Sequence, residues 1–100
     1  MNLANEASQL VNNIPPLGKW PKPFVLEHEL FGKISGTLDV LGVTWTWTTT
    51  TGSEQTIFDA NRPFIGVDAL NFCLDQMAER ESRLRGFVSK IKDALFAVFE

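Results

Sequence analysis

Between Val43 and Thr50, in the stretch VTWTWTTTTG, large apolar side chains alternate with threonine. A period of two is the signature of a strand with one buried face. The alternation sets Val43, Trp45 and Trp47 on one side and Thr44, Thr46 and Thr48 on the other. Two indoles on one face demand a large apolar partner or a ligand. They fill a core, or they form a platform for a base or a sugar ring. Thr51-Gly52-Ser53 then reads as a turn, and Glu54–Phe58 returns as a further strand.

The neighbouring segments extend the pattern. Phe24–Leu30 and Lys33–Leu41 read as strands, the second placing Ile34, Gly36, Leu38 and Val40 on one face. Short strands joined by tight turns predict an antiparallel meander with one buried face. Ahead of it, Leu3, Ala7, Leu10, Val11 and Ile14 fall near helical spacing, so residues 2–13 read as a short helix stopped by Pro15-Pro16. The connector PPLGKWPKP reads as extended, with Trp20 tucked against the core.

From Asp68 to Val98 the period changes to that of a helix. Leu70, Met77, Leu84, Ile91 and Val98 repeat every seven residues, and Cys73/Leu74, Phe87/Val88 and Ala94/Leu95 fill the second seam position. Arg80-Glu81 interrupt the seam with charge. A straight helix of this length would span about 46 Å, against about 30 Å for a small domain. The helix therefore bends, with Gly86 the expected weak point, or it stays straight and meets a partner. In the second case Leu84, Phe87 and Ile91 would bury themselves in a homodimer.

These elements predict one α+β domain over residues 1–100. It holds a short N-terminal helix, an antiparallel meander of about four strands, and a long, straight or bent C-terminal helix packed on the sheet. With 44% apolar residues and eleven aromatics (three Trp and eight Phe), such a core needs no staples. The single cysteine excludes an internal disulfide and suggests a reducing compartment. The first residues lack the pattern of a signal peptide, and no apolar run reaches the roughly 20 residues of a membrane span. The expected setting is cytoplasmic, without a membrane.

The chemistry-bearing residues are sparse. His28 lies in Glu27-His28-Glu29, where strand alternation points it away from both carboxylates. Cys73 sits between Phe72 and Leu74, where burial would make a thiol inert. No phosphate loop, nucleophile elbow or metal-ligand spacing is present. No catalytic residue, metal ligand or cofactor follows from the sequence. Nucleic acid is disfavoured too, because no Lys or Arg lies between Lys33 and Arg62, the stretch that holds Trp45 and Trp47.

Charge is nonetheless uneven. Residues 1–79 carry four Lys/Arg against nine Asp/Glu, while residues 80–100 carry five against three. Glu79–Arg83 and Glu81–Arg85 would pair at i,i+4 on a continuous helix. Aromatics and arginines dominate interface energies. The expected activity is therefore protein binding through Arg80, Arg83, Arg85, Phe87 and Ile91, to a protein of unknown identity or to a second copy. Small, acidic, motif-poor α+β chains recur among phage and mobile-element inhibitors of host enzymes or complexes, anti-CRISPR-type proteins among them. That class is the expectation by analogy. The alternatives are a small enzyme or ligand-binding subunit with a site formed on dimerisation, and nucleic-acid binding by the basic C-terminal helix.

Overall fold

The computed structural model describes residues 2–14, 25–38, 40–60 and 67–99. Helix α1 spans Leu3–Asn12. The Asn2 side chain caps it, its Oδ1 accepting from the Ala4 and Asn5 amides at 3.1 and 3.2 Å. Its last turn tightens as Asn13 and Ile14 donate to the Leu10 and Val11 carbonyls. Ala7, Leu10 and Val11 form its buried stripe. The expected connector 15–23, with Trp20, lies outside the described residues.

Four strands follow, β1 (Val25–His28), β2 (Gly32–Leu38), β3 (Val43–Thr48) and β4 (Glu54–Asp59). They form an antiparallel sheet in the order β1-β2-β3-β4. The alternation at Val43–Thr48 is realised as read. Trp45 and Trp47 are 1% and 0% exposed, and the threonines between them face away. Register sets Leu26, Ile34 and Trp47 side by side in one row of the inner face, and Gly36, Trp45 and Ile57 in the next. An indole removes about 150–250 Å² from water, so each is worth about 4–6 kcal/mol before ordering entropy is counted. The Trp47 Nε1–H also donates to the Phe31 carbonyl at 2.6 Å, which ties the β1–β2 turn to the middle of the sheet.

Strand β2 ends earlier than its periodicity suggests. Val40 was expected on the inner face. It is instead 80% exposed, in the turn that leads to β3. The chain must reverse between Leu38 and Val43, which are register partners, so the residues between them cannot continue the pleat. At the other end of β3, Gly52 adopts φ +88° and closes the Thr49–Ser53 turn, where L side chains other than glycine are strained.

The seven-residue seam does not form one helix. Helix α2 (Val67–Arg80) and helix α3 (Arg85–Phe99) are separated by a 3-10 turn at Ser82–Leu84. The break falls at Glu81, whose backbone is extended at φ −131°, ψ 95°, and not at Gly86. A continuous helix would turn Arg80-Glu81 into the apolar seam. Breaking there leaves Arg80 exposed and keeps Leu84 buried. The longest dimension of the fold is 39 Å, shorter than the unbroken helix. Helix α2 packs on β4, and α3 on α1 and α2. The buried residues of all three helices and of the inner sheet face form one core. Among the described residues, no helix is long and apolar enough to cross a membrane.

Candidate functional site

The break decides what the predicted binding residues can do. Phe87 and Ile91 are 2% and 1% exposed within the single chain, and Leu84 is equally buried. They line the core against α1 and the sheet, so they are not surface residues of this fold. The homodimer expected through Leu84, Phe87 and Ile91 would have to use residues already packed within one chain. The three arginines are exposed at the corner between α2 and α3. The Arg80 guanidinium reaches back to edge strand β4, donating to Gln55 Oε1 at 3.2 Å and to the Thr56 carbonyl at 3.3 Å. Arg83 pairs with Glu81 at 3.0 Å, in place of Glu79, because the helix no longer runs between Glu79 and Arg83. Lys92 joins α3 to α2 through Asp75 at 2.6 Å. Three of the five basic residues of the segment thus work within the chain.

The sheet has two chemically distinct ends. Glu27, Lys33, Thr48 and Glu54 share one register row at one of them, on the face turned away from the helices, with Glu29 just beyond β1. At the other end the β2–β3 turn exposes Val40 and Leu41, 80% and 71% accessible. Phe58 lies beside them, 45% exposed on β4 and opposite Thr44. Arg80 meets β4 nearer its other end, at Gln55 and Thr56.

A polar junction that sequence reasoning missed lies between α1 and β1. Glu6 Oε1 stands 3.2 Å from His28 Nε2. The Leu30 amide donates to His28 Nδ1 at 3.1 Å. A backbone N–H can only donate, so Nδ1 is the acceptor and the neutral ring carries its proton on Nε2, which donates to Glu6. The ring packs near Phe31 and Phe87, with centroids 6.0 and 4.5 Å away. With both nitrogens engaged, His28 cannot take a substrate proton without giving up a partner. Two open clefts flank it. One of about 740 Å³ is lined by residues including Glu29, Lys33 and Thr48 to Thr50. The smaller, of about 180 Å³, is lined by Glu6, Gln9, Leu10, Asn13, Glu27 and His28. Glu6 Oε2 is shielded from solvent and has no hydrogen-bond partner among the described residues. The helical phase of Glu6 next to Leu10 and the strand phase of His28 next to Leu26 each mark the edge of a buried face. Nothing in the sequence pairs two positions 22 residues apart.

Cys73 is fully buried, and its thiol lies 3.9 Å from the Met77 sulfur. Burial pushes the thiol up to about 12, against which Arg80 acts weakly. Among the described residues, no three His, Cys, Asp or Glu side chains are grouped to hold a metal ion. In comparisons with known proteins, the chain matches no family model, no curated protein and no solved structure.

Proposed function

We propose that this chain is a non-enzymatic binding protein that acts through a protein–protein surface on the β4 side of the sheet. The observation that carries the reading is the grouping of Val40, Leu41 and Phe58 at one end of the sheet, all three exposed and outside the core cluster of the described residues. Large apolar side chains grouped on an exposed surface are the chemistry of an interface anchor. Arg80, Arg83 and Arg85, exposed at the α2–α3 corner, supply polar contacts farther along β4, while Phe87 and Ile91 belong to the core. A partner of this kind fits an inhibitor of a host enzyme or complex, of the phage or mobile-element type. The test is differential capture from the native host. Wild type and Leu41→Asp/Phe58→Asp, both confirmed folded by circular dichroism, serve as bait. Loss of the captured protein with the double variant supports the surface. Equal capture by both rejects it.

A ligand-binding reading rests on one observation, the small cleft with its shielded Glu6 oxygen. It predicts that Glu27→Lys, and not Leu41→Asp/Phe58→Asp, abolishes binding.

A further inference from the structure

We infer that His28 is a proton-sensitive clasp, which releases the β1–β2 turn on protonation while keeping its hold on α1. Its Nδ1 accepts the Leu30 amide proton at 3.1 Å, and its Nε2–H faces Glu6 Oε1 at 3.2 Å. A second proton can enter the ring only at Nδ1. That places two N–H donors face to face, and the Leu30 bond is lost. On the other side the same proton strengthens the contact, because the imidazolium now meets the Glu6 carboxylate as an ion pair.

The ring has little freedom to turn away. Its side chain is 12% exposed and packs against both Phe31 of the turn and Phe87 of α3, which also face each other. Phe31 stays anchored by the Trp47 indole, so the conflict is relieved at Glu29-Leu30 of the turn and not at the helix. Glu6 is the ionisable group that α1 presents to the ring, and α3 meets it with the uncharged Phe87. Glu27, Glu29 and Lys33 border it along the hairpin. The turn borders the larger cleft through Glu29, with Gly32 of β2 next to it. Protonation of one side chain thus alters the mouth of that cleft.

The test is NMR on the full chain between pH 8 and pH 5, in wild type and His28→Gln. Imidazole nitrogen shifts at pH 8 report the tautomer, and amide hydrogen exchange, corrected for intrinsic rates, reports the turn. The expected result is the Nε2–H tautomer, with Leu30 protection falling about tenfold as His28 titrates. Amides of α1 keep their protection, and His28→Gln shows no such pH dependence. An Nδ1–H tautomer overturns the inference. So does Leu30 protection that is constant through the His28 titration, or that falls equally in His28→Gln. If that variant does not fold, the wild-type tautomer and the coincidence of the two titrations still decide.

Discussion

The indole of Trp45 lies across Gly36, its register partner on β2. A Cβ built at Gly36 would stand 2.7 Å from the ring. The glycine is thus the floor on which the Trp45 ring rests. Gly36→Ala should force the ring or the strand to shift, with the cost of overpacking a core, about 1–3 kcal/mol. Chemical denaturation measures it, and a change in near-ultraviolet circular dichroism should accompany it. An unchanged midpoint would mean that the ring moves aside freely.

Gly86 behaves in the opposite way. It sits in the first turn of α3, and a Cβ there meets nothing within 4 Å. Gly86→Ala should stabilise the protein by about 0.5–1 kcal/mol, through the entropy of the unfolded chain and helix propensity. A destabilised variant would mean that the glycine is needed for the bend.

That contrast shows what the sequence made legible. The strand alternation around Trp45 and Trp47 dictated the buried face, because one register satisfies two indoles at once. The end of the helical seam was legible as charge at Arg80-Glu81. Propensity drew attention to Gly86 instead, although burying two charges costs far more than one glycine in a helix. Val40 was misplaced because a period of two continues on paper past the point where the chain reverses. The Glu6–His28 contact joins a helix to a strand through tertiary packing, and no local pattern carries it.

The same break bears on Ile91. Because Ile91 packs within one chain, Ile91→Glu should unfold the protein and not release a folded monomer. Sedimentation together with circular dichroism separates the two results. A folded monomer obtained from a dimeric wild type would restore the helix seam as an intermolecular surface.

Cys73 gives a prediction in pH. Its thiol has an ordinary value of 9.0 and is pushed to about 12 by burial in the fold. Between these values the unfolded chain loses a proton that the folded chain keeps, so stability falls as pH rises. The contribution of Cys73 is present in full below pH 9 and is lost between about 9 and 12. Cys73→Ala should flatten this alkaline decline relative to wild type, whatever its own cavity costs at neutral pH. In native protein the thiol should resist a maleimide until denaturant is added. Labelling without unfolding would contradict the buried site.

The proposed binding surface puts a partner on the β4 side of the sheet. Hydrogen–deuterium exchange of the protein, alone and bound to the protein it captures, tests this most directly. Added protection is expected in the Val40–Leu41 turn and along Glu54–Asp59, with α1 and the β1–β2 turn unchanged. Protection confined to α1, Glu27 and His28, with none on β4, would contradict it.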